Sequence, residues 1–445
     1  MNLSSSRAIW IIFIATLGLL PLVFSSNLSL TLLSQMGIII ISCLSFNLLL
    51  GEGGMLSFGH AVYTGMGGYF TMHALNAWGK GQYFLPVTLL PLVGGVSSGL
   101  LAVILGFVST RKSGTTFAMI TLGTSELIAS MALMFSDFFG GEAGLSGNRV
   151  TGHAIFGITY GPQIQVYYLI AFYCFISVLL MYLFTKTPLG KLLNAVRDNP
   201  SRVEFIGYNT TKVRWFTFII AGFFAGIAGG LGAINFELVN SEVVGTMRSG
   251  AYIVFTYLGG INNFFGPILG AILLVLNYNL FSAYSKAWLL YVGFIFFISV
   301  LYLPGGIAGA LKTNFDMFKK LMIIKRFDSS VTVEVSKKQL AILKCYLILF
   351  LATALFFFSV NIVIEMLYQL QLSDDLSYEM NYAGFSLNPT DIGTWIISFI
   401  TNVLTFIIFN KARKNALSNW QQISEFTTQR YEQRVFVNDK KEIAL

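Results

Sequence analysis

The chain has 445 residues, 55% of them hydrophobic and only 11% charged, with a formal net charge of +8. Soluble domains carry about a quarter charged residues, and apolar runs near 20 residues that do not alternate exclude a β-barrel. What remains is an all-α, polytopic bundle of transmembrane helices, the arrangement that satisfies the backbone in lipid. The positive balance is not a nucleic-acid footprint, because the basic residues lie in loops beside spans, where the positive-inside bias places them. Cys43, Cys174 and Cys345 all fall inside apolar runs, which excludes a disulfide framework and a zinc knuckle.

Twelve apolar segments are read in order: 8–24, 30–50, 58–75, 85–108, 115–135, 166–184, 215–234, 251–258, 267–280, 288–303, 340–364 and 392–409. The first reads as a signal peptide or an uncleaved span. Its flank holds only Arg7 and a second run follows at once, which favours the span. Segment 251–258 is too short to cross alone, so it is a broken or re-entrant helix or part of a longer tilted one. With the N-terminus in the cytoplasm, only Lys80, Arg149, Arg248 and Lys286 fall outside, and the other 24 of the 28 Lys and Arg fall inside. The stretch after residue 364 carries Glu365, Asp374, Asp375, Glu379 and Asp391 without a basic residue, which suits the outer face. An even number of spans returns the C-terminus to the cytoplasm.

Glycine clusters punctuate these runs. Gly51–Gly54 and Gly259–Pro267 place helix breakers at or beside membrane depth, where non-helical backbone survives only if buried in protein or facing water. Gly222, Gly226 and Gly230 repeat as GxxxG and read first as close helix packing. Gly53, Gly54, Ser57, Thr121, Thr124, Ser125 and Glu126 are candidate lining for a path that admits a polar solute. An intramembrane carboxylate such as Glu126 faces protein or water, as a path residue or in a helix–helix hydrogen bond. His60 reads as packing more than as transport machinery, and His73 and His153 stand too far apart in sequence for a legible metal site. Gly141, Glu142 and Gly144 form an external loop, either a binding-protein contact or a plain flexible turn.

Between Lys186 and Arg214 a charged segment separates two long apolar runs. It holds Lys186, Lys191, Arg197, Arg202, Lys212 and Arg214 against Asp198 and Glu204. Leu189, Leu192, Leu193 and Val196 have helical spacing. Asn199 can cap a second helix with Pro200 in its first position, and Gly207 can end it. Two short helices with a break form a docking handle for a partner protein. No GxxxxGK[ST] loop occurs, since Gly79-Lys80 is followed by Gly81 and Gly190-Lys191 by Leu192. The chain therefore offers no ATP site by that motif, and no nucleophile–base constellation is legible.

The motifs taken together carry a resemblance. GEGGMLSFGHAVYTGMGGY resembles the Gly-x-x-Gly-x-Leu-Ser-x-Gly-His-Ala segment of the branched-chain amino acid ABC importer permeases, the LivM-like and LivH-like proteins. STRKSGTTFAMITLGTSELI is similar to that family's Arg-rich turn and Thr-Leu-x-x-x-Glu helix, and GGEAGLSG to its external loop, with Gly140 where Thr often stands. LGKLLNAVRDNPSRVEFIGYN resembles its cytoplasmic coupling segment; LGGINNFFGPILGA and LPGGIAGAL resemble its last core motifs. The match runs in order from about Leu30 to Leu311 and looks more like the LivM branch. The resemblance implies a permease subunit of an ATP-driven importer for branched-chain or other amino acids, or for related small polar solutes such as amides or urea. It assigns ATPase coupling to Gly190, Ala195, Arg197, Asp198, Asn199 and Gly207, with Lys191 where Arg is usual and Arg202 among the departures. Implied partners are a second, LivH-like permease, one or two ABC ATPase subunits that use ATP and magnesium, and an extracytoplasmic binding protein. The expected site is a prokaryotic cell membrane, with no cofactor in this chain.

The expected organisation is a core of about ten spans at 1–311 with its coupling segment at 186–214. A basic linker follows at 312–339, then a two-span hairpin at 340–410 with the acidic loop 365–391, then a charged tail at 411–445. Within the tail, 415–434 reads as an interfacial or partner-binding helix or as a disordered end. The alternative function is a stand-alone secondary transporter or channel, which would expect intramembrane charged pairs where only Glu126 stands out. A membrane-bound enzyme would need a catalytic cluster that the sequence lacks.

Overall fold

The computed structural model describes residues 3–79, 86–150, 159–281, 288–302, 305–327, 332–372, 380–382, 385–388 and 391–442. Lys80, His153, Lys286, Asp374, Asp375 and Glu379 lie outside the described residues. The helices are α1 (Leu3–Val23), α2 (Asn27–Asn47), α3 (His60–Gly79), α4 (Leu90–Ser109), α5 (Thr115–Met134), α6 (Ser136–Phe139), α7 (Gln163–Lys186) and α8 (Pro188–Asp198). They continue as α9 (Pro200–Phe205), α10 (Thr210–Phe236), α11 (Thr246–Gly259), α12 (Gly266–Leu276), α13 (Trp288–Tyr302), α14 (Gly306–Phe327), α15 (Thr332–Leu372) and α16 (Ile392–Glu442). Strand pairing is confined, among the described residues, to two short antiparallel pairs. These are β1 (Leu145–Ser146) with β2 (Leu238–Val239), and β3 (Met380–Tyr382) with β4 (Phe385–Leu387). Seven of the described helices are long and apolar enough to cross a membrane, and the helical reading of the sequence holds.

The chain packs as two units: 1–279 with 296–309, and 280–295 with 310–445. In the first, α10 lies against α2, α3 and α4. Its GxxxG stripe sets the spacing. A Cβ on Gly226 would strike the carbonyl of Gly94, and one on Gly67 would come 2.5 Å from the Cα of Gly226, so α3, α4 and α10 cross backbone to backbone. Gly222 faces Ala102 and Gly230 faces Pro91, which continues the seam along α4. The close-packing reading of this cluster is the one observed.

The short segment near 251–258 becomes half of a helical hairpin. At 1.5 Å per residue, α11 and α12 reach only about 21 and 16 Å, less than the roughly 30 Å of a hydrocarbon core. They fold on each other through Gly259, Gly266 and Gly270, and the turn at Gly260 also receives Gly305 and Gly306. The last two glycine motifs of the core thus meet at one place.

In the second unit, α15 and α16 pair. Their seam is polar: Ser359 Oγ lies 2.8 Å from Thr405 Oγ1, and Asn402 Nδ2 donates to the Ser359 carbonyl at 3.0 Å. Phe356 stacks on Phe409. Hydroxyl and amide pairs joining helices inside an apolar surface are the expected glue in lipid. The residues read as a basic linker are helical up to Phe327 and again from Thr332, and the tail continues α16 to Glu442.

Candidate functional site

Three side-chain caps build the charged segment. Thr187 Oγ1 accepts from the Gly190 amide at 3.2 Å, Asn199 Oδ1 from the Arg202 amide at 3.1 Å, and Asn209 Oδ1 from the Lys212 amide at 2.9 Å. Pro188 and Pro200 occupy the first positions of α8 and α9. A side-chain cap is worth about 1 kcal/mol, so three of them fix both helices and the start of α10. At its end α9 closes in a Schellman motif: the Gly207 amide donates to the Glu204 carbonyl at 2.9 Å and the Tyr208 amide to the Val203 carbonyl at 3.2 Å. Gly207 has φ +94°, a conformation that disfavours any side chain. Thr210 Oγ1 donates to Glu204 Oε1 at 2.7 Å and ties α9 to α10.

One face of this element is sunk in the bundle. Leu193, Val196 and Val203 are buried with Leu49, Met55, Phe117, Val213 and Phe218, and Leu189 and Leu192 pack at the edge. Gly190 is buried because a side chain there would strike the carbonyl of Phe184. Lys191, Ala195, Asp198, Asn199 and Arg202 are exposed. The outer tip is apolar: Phe205 is 90% exposed, Ile206 74% and Tyr208 54%. The sequence reading passed over these three because it followed charge. The available signal was an aromatic–aliphatic pair at the end of a capped polar helix.

Arg197 faces the other way. Its Nε donates to Asp198 Oδ1 at 3.0 Å, and its Nη1 donates to the carbonyl of Gly51. Its stem lies over Gly54, whose φ of +64° and the 2.8 Å from an added Cβ to the Arg197 Cγ leave room for hydrogen alone. Leu193 covers Gly53 in the same way, and Gly51 meets the carbonyl of Ile261 in the turn between α11 and α12. The breaker after α2, which winds as a π turn over Leu48–Glu52, therefore lies directly under α8. Residues assigned separately to coupling and to the path form one contact.

Beyond that turn, Ser57 is buried and its Oγ has no partner among the described residues. His60 is also buried; its Nε2 lies 2.8 Å from Ser45 Oγ and Phe46 packs edge-on to the ring. Since Ser45 Oγ donates to the Ser42 carbonyl, the His60 Nε2–H donates to Ser45, and Nδ1 is left without a partner among the described residues. Thr121 Oγ1 accepts from the Phe58 amide at 3.1 Å, Thr124 Oγ1 donates to the Thr121 carbonyl at 2.8 Å, and Ser125 Oγ donates to the Val244 carbonyl at 3.4 Å. These hydroxyls fasten α5 to the neighbouring backbone. Glu126 is exposed on the outside of the unit, and its carboxylate accepts from Thr246 Oγ1.

At the opposite end of α10, Gly141, Glu142 and Gly144 form a tight turn whose following strand β1 pairs with β2, with the Glu142 side chain exposed. Arg149 locks this region. Its Nη1 donates to the carbonyls of Ile234 and Asn235 at 3.2 and 3.0 Å, and its Nε to the carbonyl of Tyr160 at 2.8 Å. A guanidinium on the last carbonyls of α10 suits the negative end of the helix dipole.

Two short capped helices are rooted in the bundle by one face and expose an apolar tip, in a chain whose long apolar helices are those of a multi-pass membrane protein. The family model described as branched-chain amino acid transport system / permease component matches residues 28–303, and the chain belongs to that family. It is 27% identical over 291 residues to the high-affinity branched-chain amino acid transport system permease protein LivM of Salmonella typhimurium, covering 61% of this chain and 67% of the relative. The LivM of Escherichia coli is 26% identical over the same length and shares. A probable LivH of Methanocaldococcus jannaschii is 30% identical over 133 residues, 28% of this chain and 42% of the relative. No solved structure matches the chain.

Proposed function

We propose that this chain is the membrane-spanning half of an ATP-driven importer whose ATPase seats on α8 and α9. The relatives' names supply the solute class, branched-chain amino acids. The observation that carries the reading is the two-sided coupling element: Phe205, Ile206 and Tyr208 are exposed on a segment that also exposes Lys191, Arg202 and Lys212 along with Asp198 and Glu204, while Arg197 donates to the Gly51 carbonyl. An apolar knob with a cationic rim is a hot-spot surface for a groove on a partner. When the partner closes on ATP and magnesium it displaces α8, and the Gly51–Gly54 turn must follow. Only a difference in the ATPase's affinity for the two packings can drive the change. On this reading α8, α9 and both termini are cytoplasmic, the membrane is a prokaryotic plasma membrane, and ATP hydrolysis belongs to the partner subunit.

A second permease is the partner for α5. Thr116, Met119, Gly123, Glu126, Ser130 and Leu133 are exposed at steps of three and four along one face. A carboxylate on that face is costly against lipid and suits a protein or aqueous boundary. Glu126→Leu is expected to lower ATP-driven uptake at least tenfold while ATPase binding stays unchanged; normal uptake would remove α5 from the interface. The binding protein would approach the opposite end, where Glu142 is exposed.

Gly207→Leu tests the coupling element itself. The left-handed conformation costs a side chain about 1–2 kcal/mol, and the Cβ has open space, so the chain should insert normally while uptake uncouples from ATP hydrolysis. Normal uptake would count against the assignment. The deciding experiment for the whole reading is solute uptake by vesicles containing the chain with and without its ATPase and second permease. Uptake by the chain alone on an ion gradient would replace the importer by a secondary transporter.

A further inference from the structure

The first unit holds a cavity that the coupling argument does not use. It has a volume of about 60 Å³ and lies between α2, α3, α10 and α11, lined by Gln35, Ser42, Thr64, Arg248 and Tyr252 on its polar side. Phe236 and Val239 form part of its apolar side. These last residues follow the end of α10 remote from α9, so the cavity opens toward the face opposite the coupling element.

Arg248 is the cation of this cavity, and no salt bridge to it is found among the described residues. Its guanidinium makes one hydrogen bond among the described residues, Nε to the Tyr252 hydroxyl at 3.3 Å. The titratable groups around it are the phenols of Tyr252 and Tyr278 and the thiol of Cys43, none a carboxylate. The nearest acidic residues in sequence are directed elsewhere: Glu237 accepts from the Arg149 amide, and Glu242 is exposed. Arg248 also sits in the first turn of α11, where the helix dipole opposes a cation and favours an anion. Arg248 is partly exposed, with its guanidinium carbon 5.8 Å from the centroid of the Tyr252 ring, and its Nη fork, which has no hydrogen-bond partner among the described residues, matches the planar geometry of a carboxylate.

We propose that Arg248 binds the carboxylate of the transported solute, so that the solutes of this permease are carboxylates and not neutral amides or urea. Resting on the importer reading, this names the substrate class of that function. Water-sized groups need roughly 10–15 Å³ each by this measure, so the cavity accommodates about four of them, the size of an amino-acid headgroup. The side chain stays toward the apolar edge at Phe236 and Val239. The Gln35 amide oxygen, already 3.3 Å from Asn279 Nδ2, and the Tyr252 hydroxyl offer acceptors for the ammonium.

The test uses the full chain purified into nanodiscs and tritiated L-leucine as the probe. Saturable binding is expected, with L-leucinamide, which keeps the ammonium and side chain, competing at least tenfold more weakly than unlabelled leucine. Arg248→Gln should raise the leucine Kd at least tenfold and Arg248→Lys should recover part of the loss, which separates lost charge from lost fold. Equal competition by leucinamide, unchanged binding in Arg248→Gln, or no saturable binding by the wild type would each overturn the proposal. ATP-driven leucine uptake by the assembled transporter is measured alongside. Binding through Arg248 without ATP-driven uptake defeats the importer reading and leaves the carboxylate site standing. Uptake that is unchanged in Arg248→Gln defeats the carboxylate site alone.

Discussion

Changing Phe205 and Ile206 together to aspartate is expected to weaken the ATPase's hold on this permease by about 100-fold or more. Anchor residues at an interface centre are commonly worth 2–4 kcal/mol each, and every 1.4 kcal/mol is tenfold in affinity. Both side chains are exposed in the free chain, so their replacement removes no internal packing. Insertion and thermal stability should therefore be unchanged. Added aspartates also set negative charge among Lys191, Arg202 and Lys212, which disturbs any acidic complement on the partner. The measurement is equilibrium binding of the purified ATPase to the permease in detergent, with the melting temperature as control. Wild-type affinity in the double variant would show that the knob faces something else.

The second large effect is structural. Gly226→Val is expected to destabilise the first unit by more than about 4 kcal/mol, the range reserved for severe core insults. Its Cβ alone would strike the Gly94 carbonyl and lie 2.5 Å from the Ser98 Cβ, before its branches are added, and neither helix can retreat because Gly67 is already against the same backbone. Gly232→Ala, on the same helix with nothing within 4 Å of its Cβ, is the control and should change stability by less than about 1 kcal/mol. The two variants are compared by the fraction recovered as a monodisperse species and by the melting temperature. Similar behaviour of the pair would mean that α3, α4 and α10 do not cross at Gly226.

The coupling contact explains how a pull on two short helices could reach the solute. Arg197 is 146 residues from Gly51, yet its Nη1 bonds that carbonyl and its stem fills the space over Gly54. The π turn is a local under-winding at the end of α2, and such turns recur at functional positions. A displaced α8 takes Leu193 off Gly53 and Arg197 off Gly54 at once. The same turn touches Ile261 between α11 and α12, so the hairpin that carries Arg248 at its other end is in the chain of contacts.

Local signals made much of this legible. Helices, approximate spans and the two short coupling helices follow from apolar periodicity, from Thr187-Pro188 and Asn199-Pro200 at helix starts, and from Gly207 at a helix end. Each of these is a preference that acts within four residues. The short segment at 251–258 was legible as a broken, re-entrant or tilted helix, but not which helix it folds on, because its partner α12 is recruited by glycines that no local rule pairs. The helical continuation of the tail was obscured by its charge, which speaks to solvation and not to backbone conformation.

By itself the amino-acid sequence determined that this is a helical membrane permease and where its two short capped helices begin and end, since hydrophobic length and capping chemistry are written in consecutive residues. Only the tertiary structure decided that Phe205 and Ile206 face outward while Val203 faces in, that Arg197 grips Gly51, and that Arg248 lines a cavity beside the Tyr252 hydroxyl. Those outcomes depend on which surfaces distant segments bring to the same point, and burial and electrostatic pairing act through that shared space, whatever the distance along the chain.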